Sequence, residues 1–144
     1  MRRPKKNEDK LKEIKKMGQR RYIAGLVDAL KDENDLIRVE AAEWLYRIGD
    51  EKTVEPFIEA LKDSNGKVRE YALLTLIYIG GKKVTGPLIN ALFDTSDAIR
   101  QFAAEALGDI GDPRALSALE ELLSHGYNKV VKEAIDKIKF GPQD

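Results

Sequence analysis

The chain has 144 residues, 42% of them hydrophobic and 35% charged, with 25 basic side chains balancing 25 acidic ones and no cysteine. That is one domain's worth of sequence, long enough to bury a sizeable core; disulfides and thiolate chemistry are excluded, and no apolar run approaches the ~18–20 residues of a membrane span. The basic residues near the start are followed by no apolar stretch, so they do not read as a secretory signal, and a cytoplasmic location is the default expectation.

Leu, Ala, Glu and Lys dominate and β-branched runs are short, which favours an all-α chain. The zero net charge hides an asymmetry. Residues 1–21 hold ten basic residues (Arg2, Arg3, Lys5, Lys6, Lys10, Lys12, Lys15, Lys16, Arg20, Arg21) against Glu8, Asp9 and Glu13, a net of +7, so residues 22–144 carry −7. Such a segment is either a solvated terminal helix or a contact for an anionic partner such as RNA or a lipid surface. Within it, Asn7 to Met17 carries Leu11, Ile14 and Met17 at helical spacing, with a lysine-rich remainder facing water. Residues 1–18 are therefore expected to form a basic segment and a capping helix.

From there the sequence repeats. Gly18, Gly49, Gly80 and Gly111 stand 31 residues apart. The same interval separates Leu26, Phe57, Leu88 and Leu119, and again Leu30, Leu61, Leu92 and Leu123. Arg38, Arg69 and Arg100 recur behind Ile37, Val68 and Ile99; Asp32, Asp63 and Asp94 recur in phase, as do Leu45, Leu76 and Leu107. The phase holds without a gap until Ser124, where the turn Ser124-His125-Gly126-Tyr127 is one residue longer than its equivalents. Four units are expected, at 19–49, 50–80, 81–111 and 112–140, with a tail at 141–144.

Each unit reads as two helices. The first, for example Thr53 to Lys62, presents Val54, Phe57, Ile58 and Leu61 on one buried face, with Pro56 or Pro87 in the first turn, where a missing N–H is harmless. Asn34, Asn65 and Ser96 are placed to cap the second helix, and Gly49, Gly80 and Gly111 to end it in a left-handed conformation. Ala41, Ala72 and Ala103 would let paired helices approach closely. The central second helix, Val68 to Gly80, is apolar on two sides: Val68, Ala72, Leu76 and Ile79 fall in a sector roughly 80° wide, and Tyr71, Leu74 and Tyr78 form a second stripe roughly 135° away. A helix of that kind is sandwiched or offers one face to a partner. The last helix, about Asn128 to Phe140, presents Val131, Ala134, Ile135 and Ile138.

The pattern Asp-x4-(Ile/Val)-Arg-x2-Ala-x3-Leu-x2-Ile-Gly, followed by (Val/Leu)-x-(Pro/Ala)-(Leu/Phe), resembles HEAT-like repeats of the short, phycobilisome-lyase type. The best single match is Arg100 to Leu119, RQFAAEALGDIGDPRALSAL, and the resemblance covers about residues 18–139. Trp44 and Thr75 depart from it where Ala106 conforms, Gly25 replaces the proline, and Gly81 with Gly86 loosens one junction. The resemblance implies a right-handed α-solenoid, second helices lining the concave side and first helices the convex side. It is specific for architecture and weak for activity. Related HEAT-like enzymes include di-iron hydroxylases acting on deoxyhypusine, which rely on His-Glu pairs that this chain lacks. Bilin lyases share the repeat, yet no bilin-handling residue is identifiable here.

Catalysis needs convergent groups, and the only histidine, His125, stands in a turn. No cofactor or metal is expected. Arg38, Arg69 and Arg100 invite a phosphate-binding reading, but each is placed to bond Asp32, Asp63 or Asp94 in its own or the adjoining unit, satisfying turn carbonyls and setting the stacking angle. They are therefore expected to act on stability. The expected contact surface is the shared face of the second helices: Leu36, Val39, Glu40, Glu43 and Arg47; Lys67, Glu70, Tyr71, Leu74 and Tyr78; Ala98, Gln101, Phe102, Glu105 and Asp109. Its aromatic middle, with Tyr71 and Phe102 side by side in a stacked array and Glu40 completing the row, and its margin of five carboxylates against Arg47 and Lys67 suit a basic or amphipathic helix or an extended peptide. The competing expectation folds Tyr71 and Phe102 into the seam between units. The sequence thus reads as a non-catalytic protein-interaction scaffold, monomeric or weakly dimeric through Tyr71, Leu74 and Tyr78. The alternatives are nucleic-acid or anionic-surface binding through the basic segment, disfavoured by the acidic lining, and an accessory or lyase-like role in pigment metabolism.

Overall fold

The computed structural model describes residues 3–126 and 128–141, with side chains from residue 6 onward. The side chains of Arg2, Arg3 and Lys5 in the basic segment, Tyr127 of the long turn, and residues 142–144 of the expected tail lie outside the described residues. The ordered helices are α1 Arg3–Gln19, α2 Ile23–Ala29, α3 Asp35–Ile48, α4 Val54–Ala60, α5 Gly66–Ile79, α6 Thr85–Ala91, α7 Asp97–Ile110, α8 Leu116–Ser124 and α9 Lys129–Phe140. Two compact units divide between Thr75 and Leu76, within α5.

In the first unit, α1, α2 and α3 pack on one another. Leu26, Ala41, Ala42, Leu45, Phe57, Val68, Ala72 and Leu73 are fully buried, with Ile14 of α1 nearly so. Leu11 and Met17 are half-buried. The approach of α1 to α3 is fixed by the Gly18–Trp44 pair: a Cβ built on Gly18 would fall inside the indole ring. Trp44 therefore stands where an alanine would conform because the opposing backbone offers it a flat, side-chain-free seat. In the second unit α7 packs on α6 and α9, and α8 on α9. Here Leu76, Val84, Leu88, Leu92, Ala103, Ala104, Leu107 and Leu119 are fully buried, and Val131, Ala134 and Ile135 join them from α9. A Cβ on Gly108 would lie 2.8 Å from Ala134 Cα, so α7 and α9 meet backbone to backbone.

The recurrent positions carry these cores because each removes a side chain from water at the same point of its hairpin; burying one Leu or Phe contributes roughly 1.5–3 kcal/mol. Ile79 departs from the expected core stripe and is half-buried, whereas Leu73, at the edge of that stripe, is fully buried. The first helices also start differently from the expected Thr53–Lys62 span. Short 3-10 turns at Glu51–Thr53, Gly81–Val84 and Pro113–Ala115 precede α4, α6 and α8. Asp50 and Asp112 cap two of these turns, accepting the Lys52 N–H at 2.8 Å and the Arg114 N–H at 3.0 Å.

Gly49 and Gly111 end α3 and α7 with φ of 63° and 74°, in the left-handed region. Gly80 does not: its φ is −88°, and Gly81 takes the left-handed conformation at 55°. Gly80 is required for another reason, because a Cβ there would overlap Val84 and lie 2.5 Å from the Leu76 carbonyl. The second glycine of the Gly80-Gly81 pair releases the first from the turn and lets the next segment close down on it.

Candidate interaction surface

The turn before each second helix is built in the same way. Asp32, Asp63 and Asp94 each accept the backbone N–H two residues on, from Asn34, Asn65 and Ser96, at 2.8–2.9 Å. Those three residues then cap α3, α5 and α7: Asn34 accepts from Leu36 N–H at 2.8 Å, Asn65 from Lys67 N–H at 2.8 Å, and Ser96 from Ile99 N–H at 3.4 Å. Six residues past each aspartate an arginine returns to the turn. Arg38, Arg69 and Arg100 donate from Nη1 to the carbonyls of Asp32, Asp63 and Asp94 at 2.8, 2.9 and 2.6 Å. In the first unit Arg38 also reaches the adjoining turn, placing Nε and Nη2 on the Asp63 carboxylate at 2.9 and 3.2 Å. Lys10 of α1 takes the corresponding place on Asp32 at 3.0 Å. Burial pushes the Asp32 carboxyl up, but the Asn34 N–H, Lys10 and Arg38 together outweigh it and hold it below the ordinary carboxylate value.

On α3 and the first part of α5, Leu36 is 62% exposed, and Val39, Glu40, Glu43, Glu70, Tyr71 and Leu74 are half-buried. Arg47 is bound to Glu43 at 2.7 Å and Lys67 leans on Glu70 at 3.6 Å. Tyr71 meets Tyr46 of α3, ring centres 5.6 Å apart and tilted by 41°. Tyr46 did not emerge from the spacing: Ile77 and Gly108 occupy its register in the following units, so no shared chemistry marks the position. Arg47 also stacks over Trp44, 5.4 Å from the ring centre. In the second unit Tyr78, at the end of α5, is 80% exposed. On α7, Phe102 is 37% exposed and Ala98, Gln101, Glu105 and Asp109 are exposed. Lys137 of α9 binds Asp109 at 2.9 Å, and that bond and charge raise the lysine's pKa. Of the five marginal carboxylates, Glu43, Glu70 and Asp109 thus have a cation on them; Glu105 makes no ion pair among the described residues but its charge acts on Lys137, and Glu40 pairs with none among the described residues.

Asp112 is buried at the start of the turn leading to α8, and its carboxylate accepts from Arg114 Nε and Nη2 at 2.9 and 2.6 Å. The Arg114 guanidinium and N–H hold its carboxyl far below the usual range. This group organises a turn and lies apart in sequence from the second-helix face.

Comparison with known proteins places the chain. Residues 54–138 match the HEAT repeats family, and residues 37–63 match the PBS lyase HEAT-like repeat. Among solved structures, the X-ray structure of the Escherichia coli protein YibA is 30% identical with a TM-score of 0.58; the match covers 80% of this chain and 42% of that one. The chain therefore spans less than half the length of that relative. The crystal structure of an engineered protein, 22% identical with a TM-score of 0.64, covers 91% of this chain and 68% of its own and shares the fold. No curated protein matches the chain. With the HEAT repeats match running through more than half of its residues, on an all-helical fold of the α-solenoid class, this chain belongs to the HEAT repeat family.

Proposed function

We propose that the chain is a non-catalytic scaffold that engages a protein or peptide through the outward side of its second helices: in the first unit α3 and the start of α5, and, taken by itself, in the second unit the end of α5 and α7. The observation that carries this reading is the exposure of large apolar side chains on helices whose other sides are fully buried: Leu36 on α3, Tyr78 on α5 and Phe102 on α7. Apolar side chains gathered on the open side of such helices offer a surface that a partner can cover. The Tyr46–Tyr71 pair adds a stiff aromatic anchor. Glu40, which has no cation on it among the described residues, and the exposed Glu105 favour a partner with basic residues flanking an apolar stripe.

The test is a pull-down with the parent chain and with Tyr71→Ala, Phe102→Ala and the double variant. Loss of one or more specific partners from the variants, with folding unchanged by circular dichroism, is the expected result. Equal recovery of every partner by all four proteins would discard the surface.

A further inference from the structure

The aspartate that recurs at 32, 63 and 94 falls next at position 125, and the residue there is His125. What the recurrence does is visible in the first unit. Asp63 receives Arg38 Nε and Nη2 on its two carboxylate oxygens at 2.9 and 3.2 Å, a planar two-point pair. Arg100 keeps the near half of that arrangement, Nη1 on the Asp94 carbonyl at 2.6 Å. By register its far half meets a histidine instead of an aspartate, that ring turns to the Glu121 carbonyl, and the guanidinium leans on Asp97 of its own helix. The consequence is a difference in shielding: the Arg100 side chain is 31% exposed, that of Arg38 13%. Beside Arg100 lies a hollow of about 220 Å³, lined by Asp97, Arg100, Gln101, His125, Asn128 and Val131. His125 Nδ1 donates to the Glu121 carbonyl at 2.8 Å; that partner only accepts, so the proton sits on Nδ1 and Nε2 is the ring atom left over.

We propose that this hollow is a carboxylate-binding site: the side-chain carboxylate of an acidic protein or peptide segment seats on Arg100 Nε and Nη2, in the place that Asp63 fills for Arg38. The Asp97 pair it displaces is an exposed i, i+3 contact and holds the guanidinium weakly. A carboxylate exchanges for Asp97 one charge for one, whereas a phosphate dianion brings a second charge toward the Asp97 carboxylate that remains nearby. The proposal stands on the turn ladder; it shares Gln101 with the second-helix surface but does not rest on that reading.

The experiment follows the Arg100 Nε–Hε resonance of the full-length, isotopically labelled chain. Acetate and the blocked peptide acetyl-Gly-Asp-Gly-amide are titrated at constant ionic strength against chloride. The expected result is a saturable shift with both carboxylates, none with chloride, and a lower half-saturating concentration for the peptide. Asp97→Asn should lower that concentration at least about threefold by removing the competitor. His125→Asp should supply the carboxylate internally, abolish the response and raise the melting temperature. Absence of a carboxylate-specific shift in the parent, a response that survives His125→Asp, or tighter binding of inorganic phosphate would each overturn the proposal. Acetate binding as tightly as the peptide would overturn its assignment to a protein partner.

Discussion

Gly80 and Arg21 each occupy the backbone conformation expected of the other. Arg21 has a φ of 55°, where a side chain is strained and glycine is not. It closes α1: the Arg21 N–H bonds the Gly18 carbonyl at 3.0 Å and the Tyr22 N–H reaches the Met17 carbonyl at 2.8 Å, the paired bonds of a left-handed helix end. Arg21→Gly is expected to raise stability by about 1 kcal/mol in urea denaturation; an unchanged or lower midpoint would mean that the arginine side chain compensates its own strain. Gly80, in the ordinary right-handed region, is held by sterics, and Gly80→Ala is expected to cost about 1–3 kcal/mol by overpacking against Val84. Asp112 supplies a pH dependence. The Arg114 guanidinium and N–H hold its folded pKa far below the ordinary carboxylate value, so the stability it confers is full above that ordinary value and is lost as pH falls below it. In acid titrations of the melting temperature, Asp112→Asn should flatten the fall below about pH 4 relative to the parent. An identical fall in both proteins would assign acid unfolding to other carboxylates.

Helices are where the spacing of residues spoke most clearly. A 31-residue interval in the sequence exposes what every hairpin must share: the buried Leu26, Phe57, Leu88 and Leu119, the caps Asn34, Asn65 and Ser96, and arginines returning to the turn carbonyls. The same method is blind to what is particular to one copy. It missed Tyr46 beneath Tyr71 because Gly108 holds that register two units on, and it assigned Gly80 a left-handed φ because Gly49 and Gly111 have one. It also missed the 3-10 starts of the first helices; Asp50 and Asp112 cap two of them, and the third, at Gly81–Val84, forms without a side-chain cap. The expected contact surface was drawn as a set of positions, and the pairings among them were not legible, since rotamers decide that Arg47 turns to Glu43. The ladder yields a prediction at this scale. Arg38 and Asp63 are both largely shielded, and Asp63 serves its own turn and the neighbouring arginine together. Asp63→Asn keeps the shape but weakens a charge-assisted, two-point bond, and is expected to cost about 2 kcal/mol. The urea midpoint should fall with an unchanged m-value; a changed m-value would indicate that the turn itself has opened.

For the molecule as a whole, charge decides between the scaffold reading and the polyanion reading. The sequence places +7 in residues 1–21 and −7 in the remainder. On α1, Lys12, Lys15 and Lys16 are exposed, as are Arg20 and Arg21 beyond it, but Lys10 is committed to Asp32 and Glu8, Asp9 and Glu13 are interspersed. Phosphate contacts gain affinity by releasing counterions, so each lysine counts, and each nearby carboxylate subtracts. A basic segment interspersed with three carboxylates, on a chain whose other residues carry −7, should hold RNA only at low salt. The expected outcome of a gel shift with single-stranded RNA is retention that collapses between about 50 and 200 mM salt, with Lys12→Glu/Lys15→Glu/Lys16→Glu removing what remains. Saturable binding at physiological salt, lost in that triple variant and untouched by Tyr71→Ala/Phe102→Ala, would move the function from the second helices to α1.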